Sequence, residues 1–299
     1  MSKVSEVRYV GYAVPDLEAE RKFYQDKWLL RQAAEQEGMI YFAAEGSDQP
    51  YVVRLRQAAV KSVEVIGLAA QTSADVDELH TKVKDAGCKI IFAPRQLDRF
   101  SGGYGFRFFS GDGLPFEISS DVSAGSARVL KRGEGIPEKI SHIVLHSPRH
   151  KEATQFFIDV LGFKLTDWIG DFMSFLRCNE WHHRIAILPG PPCLNHVAYD
   201  MPTVDDMMRG IGRLKRNSVD ILWGPGRHTA GNNTFSYFAT PNGFAVEYTS
   251  ELERVDDTWT PSVHAPRPEI MDQWGSGQGG PHTMPHPEPD NRLFQPSDR

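Results

Sequence analysis

Several absences narrow what this chain can be. Its 299 residues include only three cysteines, Cys88, Cys178 and Cys193, and none forms a CxxC pair. An odd, sparse set argues against a disulfide framework and suits a reducing compartment. A basic surplus is also missing. The 33 Lys and Arg against 39 Asp and Glu leave a net charge of −6. Nothing therefore marks a surface for nucleic acid or anionic membrane. No apolar run approaches the roughly 18 residues needed to span a bilayer. The start, MSKVSEVRYV, is charged and has no apolar signal core. The expectation is a cytoplasmic protein with neither nucleic acid nor membrane as partner.

What is present is repetition. YVGYAVPDLEAERKFYQDKWLL (9–30) runs parallel to HIVLHSPRHKEATQFFIDVLGF (142–163) at a constant offset of 133. Pro15 meets Pro148, Phe23 meets Phe156, Tyr24 meets Phe157 and Asp26 meets Asp159. Each segment reads as a short strand, a Pro-marked stop and an amphipathic helix. IGLAAQTSADVDELHTKVKDAG (66–87) resembles LNHVAYDMPTVDDMMRGIGRLK (194–215) when Val76-Asp77 is set on Val204-Asp205. Three β-rich stretches follow each helix. The closing strands also match, SGDGLPFEIS (110–119) with TPNGFAVEYT (240–249). The pattern predicts an α+β fold of four βαβββ modules, paired into two barrel-like domains at 1–132 and 133–255. The Gly- and Ser-rich stretch 124–140 reads as the linker. Residues 256–299 are rich in Pro and Gly, and read as an extended arm on the body or a partly disordered tail.

Paired modules curl their sheets into a cup, with the first and last strands of each module pointing into it. In the second half His142 and His196 lie on first strands and Glu247 on a last strand. Their counterparts in the first half are read as Tyr9, Leu68 and Glu117. Two imidazoles and a carboxylate leave three octahedral positions open, the ligand set of a non-haem Fe(II) centre that activates O₂. The first domain keeps only the carboxylate and is expected to be metal-free, a lid or an assembly surface. His146 and His150 lack repeat-matched partners, and His282 and His286 lie in the tail. Cys193, three residues before His196, reads as a small core or loop residue.

These residues resemble the type I extradiol ring-cleaving dioxygenases of the vicinal oxygen chelate superfamily, nearest the branch that cleaves 2,3-dihydroxybiphenyl. The likeness covers residues 5–260 and is strongest from 139. GRHTAGNNTFSYFATPNGFAVE (226–247) matches the signature of Gly-x-His, a spacer, Tyr-x-x-Thr-Pro-x-Gly and Glu. It supplies His228, Tyr237, Pro241, Gly243 and Glu247. Ser236 departs from the usual apolar residue, which leaves Phe238 as an alternative register for Tyr237. CNEWHHRIAI (178–187) matches a second signature.

The resemblance implies a glyoxalase-like fold with Fe(II), or Mn(II) as in a few members. It implies cleavage of a substituted catechol beside its diol, inserting both atoms of O₂, in aromatic-compound degradation. His183 would be the acid–base residue, with His182 in a secondary role. His228 and Tyr237 would donate hydrogen bonds to bound oxygens. A homo-oligomer is implied too. Phe172, Phe175, Ile187, Trp223 and Phe235 are apolar candidates for the pocket, and Arg184 or Arg227 for a substituent carboxylate. The competing enzyme is a glyoxalase-like, metal-dependent lyase or isomerase. The competing non-enzyme is a small-molecule-sequestering relative.

Overall fold

The computed structural model describes residues 3–285. Its first module is β1 (Val4–Val14), α1 (Leu17–Lys22), β2 (Arg31–Gln36), β3 (Met39–Ala43) and β4 (Val53–Gln57). The second is β5 (Ser62–Ala70), α2 (Ser73–Asp85), β6 (Lys89–Gln96), β7 (Tyr104–Phe109) and β8 (Pro115–Ser120). The third is β9 (Lys139–Ser147), α3 (His150–Asp159), β10 (Lys164–Ile169), β11 (Met173–Arg177) and β12 (Ile185–Pro189). The fourth is β13 (Cys193–Asp200), α4 (Val204–Arg216), β14 (Trp223–Arg227), β15 (Thr234–Ala239) and β16 (Ala245–Ser250). The α+β class and the four βαβββ modules are as expected.

Each pair of modules makes one sheet with a local twofold. The first sheet runs β2-β3-β4-β1-β5-β8-β7-β6, and the second repeats that order as β10-β11-β12-β9-β13-β16-β15-β14. Within each module the first strand pairs in parallel with the last, and first strands meet antiparallel at the centre. α2 and α4 begin alike. Thr72 and Thr203 each accept a backbone N–H from Asp75 or Asp206, and each hydroxyl donates to that aspartate's carboxylate. Asp206 also accepts the N–H groups of Gly133 and Gly135, which ties the connecting stretch to the fourth module.

One continuous apolar core runs behind both sheets. Trp28 of the first half is fully buried among the second half's Tyr199, Phe238 and Tyr248, stacked on Tyr248 at 3.9 Å between ring centres. Opposite strand faces turn into the two cups.

Strand register corrects one counterpart. His142 pairs with Ala198, and Ala198 with Glu247; in the first half Tyr9 pairs with Gly67, and Gly67 with Glu117. The residue matching His196 is then Val65, not Leu68. Val65 packs beside Tyr9 in the cup, whereas Leu68 faces the main core. Setting Val76 on Val204 shifted the comparison by three residues. The Thr-x-x-Asp caps, Thr72 on Thr203, give the true alignment.

The described part of the tail lies on the second sheet. β17 (Ser262–His264) adds to β10 at one edge and β18 (Gln278–Gly279) to β14 at the other, with α5 (Pro268–Met271) between them. It is an ordered arm across the mouth of the second cup. Residues 286–299, with His286, lie outside the described residues. Among the described residues no helix is long and apolar enough to cross a membrane.

Candidate metal centre

Strand register explains why His142, His196 and Glu247 meet. They sit on three adjacent strands, β9, β13 and β16, near the centre of the second sheet. One nitrogen or oxygen from each lies within 4.8 Å of the others, and all three residues are buried. It is the only such group among the described residues. His196 Nε2 stands 3.0 Å and His142 Nε2 3.4 Å from Glu247 Oε2.

Proton placement shows what this geometry needs. His196 Nδ1 lies 2.6 Å from Asn195 Oδ1, an acceptor only, so Nδ1 carries the hydrogen. The lone pair of Nε2 then faces a carboxylate. Burial pushes the His196 pKa down, against the pull of Glu247. Burial alone would raise Glu247, but His142 and His196 outweigh it and hold the carboxyl at about 2. His196 Nε2 and both Glu247 oxygens are buried without a hydrogen-bond partner. Lone pairs facing one another in a dry site are costly unless a cation lies between them. The donor set fits a divalent ion held by two neutral imidazoles and one carboxylate.

The other three site candidates surround this cluster. His183 precedes β12, is buried, and sets its ring 4.3 Å from that of His142, tilted by 56°. Burial, reinforced by neighbouring His142, holds its pKa well below 6.5, so the ring is neutral. His228 follows β14. Its Nδ1–H donates to the Met271 carbonyl at 2.7 Å, and its Nε2 accepts from the Tyr237 hydroxyl at 3.0 Å. Burial pushes His228 down to about 4 and raises Tyr237 well above 10. Tyr237 pairs directly with Glu247 across β15 and β16. Phe238 points the other way, into the core.

These groups line a cavity of about 440 Å³ whose remaining walls are mainly apolar. Phe172, Phe175 and Trp223 line it as anticipated, while Ile187 and Phe235 pack in clusters behind it. Ile169, Met173, Ile270, Met271 and Met284 also line it. Three of those come from the tail, and no local pattern signals their reach across the sheet. Neither arginine candidate faces the cavity. Arg184 bonds Asn179 and the Ser141 carbonyl, and Arg227 pairs with Glu251 and Asn232. His146 is on the rim, accepting from Asn195, while His150 contacts the Asp171 carbonyl and Cys193 is in the core. Cys193 is not among the groups that converge on the centre, and burial pushes its thiol up to about 12.

Comparison with known proteins agrees with this geometry. Residues 139–248 match the family described as Glyoxalase/Bleomycin resistance protein/Dioxygenase superfamily. A solved Mn(II)-bound glyoxalase from Novosphingobium aromaticivorans is 60% identical, with a TM-score of 0.97 over 100% of this chain and 99% of that one. The biphenyl-2,3-diol 1,2-dioxygenase of Paraburkholderia xenovorans (strain LB400) is 28% identical over 91% of this chain and 95% of its own. The iron-dependent extradiol dioxygenase of Rhodococcus jostii (strain RHA1) is 29% identical over 65% of this chain and 84% of its own. The chain belongs to the Glyoxalase/Bleomycin resistance protein/Dioxygenase superfamily and, within it, stands with the extradiol dioxygenases.

Proposed function

We propose that this chain cleaves an apolar-substituted catechol beside its diol, adding both atoms of O₂, with His142, His196 and Glu247 holding the metal. The observation that carries the reading is the cluster of inward lone pairs at the floor of an apolar cavity, ringed by His183, His228 and Tyr237. Fe(II) or Mn(II), bound there, would supply Lewis acidity and a path for electrons between ring and oxygen.

The chain's own residues do the rest. Phe172, Phe175 and Trp223 pack against an aromatic ring and exclude water. No Lys, Arg, Asp or Glu lines that cavity among the described residues, which favours a neutral substituent. His183 Nδ1 is engaged by His182, so Nε2 is free to take the proton of a catechol hydroxyl and return it later. The Tyr237 hydroxyl donates to His228 Nε2 in this structure, and turned from that partner its O–H would steady a second oxygen. Residues 133–255 form the catalytic half and 1–132 the metal-free half, with the described part of the tail, 256–285, closing the site. We place the protein in the cytoplasm, on its sparse free cysteines, and read it as a homo-oligomer by likeness to the family.

The test is direct. The full chain is loaded with Fe(II) without oxygen, given 2,3-dihydroxybiphenyl or 3-methylcatechol, and then exposed to air. A yellow product with oxygen uptake is expected. Metal-loaded protein that consumes no oxygen across a broad catechol panel overturns the reading. A second reading, a glyoxalase-like lyase or isomerase, draws on the name of the 60% identical relative. Such chemistry uses a carboxylate base beside the metal; Glu247 would be a ligand, and no other carboxylate lines the cavity among the described residues.

A further inference from the structure

Behind His183 a chain of buried polar groups leads away from the cavity. His183 Nδ1 lies 3.0 Å from His182 Nδ1, and His182 Nε2 lies 3.0 Å from Asp167 Oδ2 on β10. The same carboxylate oxygen is 2.9 Å from His264 Nε2 on β17. Its other oxygen accepts the backbone N–H of Ser262 at 2.8 Å and the Ser262 hydroxyl at 3.0 Å. His182 is fully buried and Asp167 is 2% exposed, whereas the His264 side chain is 25% exposed. Phe175 packs its ring against both His182 and His183.

We infer that Asp167 and His182 are positioning residues that fix the tautomer of His183, and that the tail strand β17 locks them in place.

Counting donors and acceptors gives the direction. An ionised carboxylate only accepts. Burial would raise the Asp167 pKa, but bonds from His182, His264 and Ser262 hold it far below the usual range. His182 must then carry its hydrogen on Nε2. A neutral His182 presents a bare Nδ1. The short contact between the two Nδ1 atoms needs one hydrogen, and only His183 can provide it. His183 is left with its lone pair on Nε2, the nitrogen directed away from His182. That form takes a proton from a catechol hydroxyl, whereas the opposite tautomer would offer one. The same logic orients metal-ligating histidines through their outer partners. Ser262 and His264 occupy the remaining acceptor sites of Asp167, so the carboxylate cannot swing away from His182.

The use of that lone pair rests on the ring-cleavage reading, but the tautomer does not. The experiment labels the histidines of the full chain with ¹⁵N, loads it with diamagnetic Zn(II), and records two-bond proton–nitrogen correlations. His182 should carry its hydrogen on Nε2 and His183 on Nδ1, each ring with one bare nitrogen. A His183 hydrogen on Nε2, or a doubly protonated His182, overturns the inference. Asp167→Asn presents an N–H₂ to His182 and should reverse both tautomers. Its kcat should fall roughly 10- to 100-fold, the scale for partners of site residues, with KM and metal content unchanged. Wild-type kcat in that variant also overturns the inference. Expected tautomers in a protein that cleaves no catechol would retain the relay and reject only the reaction.

Discussion

The two cups of this molecule have the same strands, nearly the same size, and opposite chemistry. Register pairs His142 with Tyr9, His183 with Tyr51, His196 with Val65, His228 with Leu97, Tyr237 with Arg107 and Glu247 with Glu117. Only the carboxylate is common to both. Glu117 is compensated by two guanidinium groups, from Arg99 and from Arg107 at 2.9 Å. Arg99 Nη1 also donates to the Tyr9 hydroxyl at 2.8 Å. The Tyr9 ring needs the space left by Gly67, where a Cβ would sit 2.3 Å from it; the second half has Ala198 there beside the smaller imidazole. Both glutamates are held at about 2. The contrast teaches that this scaffold buries a carboxylate at a fixed place and requires positive charge beside it. Permanent side-chain cations meet that need in the first half. In the second half two imidazoles stand there instead, cationic only when protonated, and as neutral ligands they would leave that need to a metal.

The largest expected effect breaks the second cup. His196→Ala removes one of two neutral donors, and bound metal and oxygen uptake should both drop to background, read by metal analysis and an oxygen electrode. Retained metal at wild-type stoichiometry would show that the inward lone pairs are not ligands. Next comes His183→Ala, which should keep the metal and lower turnover roughly 10²–10⁴-fold. Loss of metal in that variant would move His183 from proton transfer to metal binding.

Much of this comparison was legible before folding was considered, because a repeat at offset 133 places like residues on like strands. His142 and His196 stood out since their counterparts could not be ligands. Val65 was misread as Leu68 because helix similarity was weighted over the cap threonines, and a three-residue slip turns a cup residue into a core residue. The Arg99 and Arg107 compensation was missed, as a lone arginine in a β-rich stretch has no local signature of a buried partner. The tail was opaque for a similar reason. Its contacts join residues such as His264 to Asp167 and Met271 to His228, far apart in sequence and without periodicity.

The first cup can be broken as well, with a different readout. Glu117→Gln leaves Arg99 and Arg107 buried without their counter-charge, and removing one member of a buried ion pair costs roughly 3–5 kcal/mol. Urea unfolding should register that loss while metal content per folded molecule stays constant. The sign of the pH dependence follows from the folded value. Glu117 sits at about 2 folded against 4.5 in the unfolded chain. Its contribution is complete above pH 4.5 and is lost as pH falls toward 2. At about 1.4 kcal/mol per unit this is worth about 3 kcal/mol. The unfolding free energy of wild type should fall across that window, and less steeply in the variant. Equal slopes would mean that Glu117 is not the group being protonated.

The smallest effect concerns what fills the cups. The first holds about 380 Å³ lined by Arg54, Arg95, Arg99 and Arg107 as well as Glu117, while the second holds about 440 Å³ with apolar walls. Part of that apolar wall is borrowed, since Ile270, Met271 and Met284 arrive from a tail whose described strands pair with the second sheet. Met284 is packed with Trp223 and Tyr237 on the cavity side opposite the third module. Met284→Ala should therefore weaken a catechol large enough to reach the tail and spare one that is not. Contact changes of this size in an apolar pocket are worth roughly 1–2 kcal/mol, or about 5- to 30-fold. KM for 2,3-dihydroxybiphenyl should rise by that factor with kcat little changed, and KM for unsubstituted catechol should not move. A parallel rise for both would mean that Met284 supports the centre's geometry, and that the apolar character of this cup comes from its own strands alone.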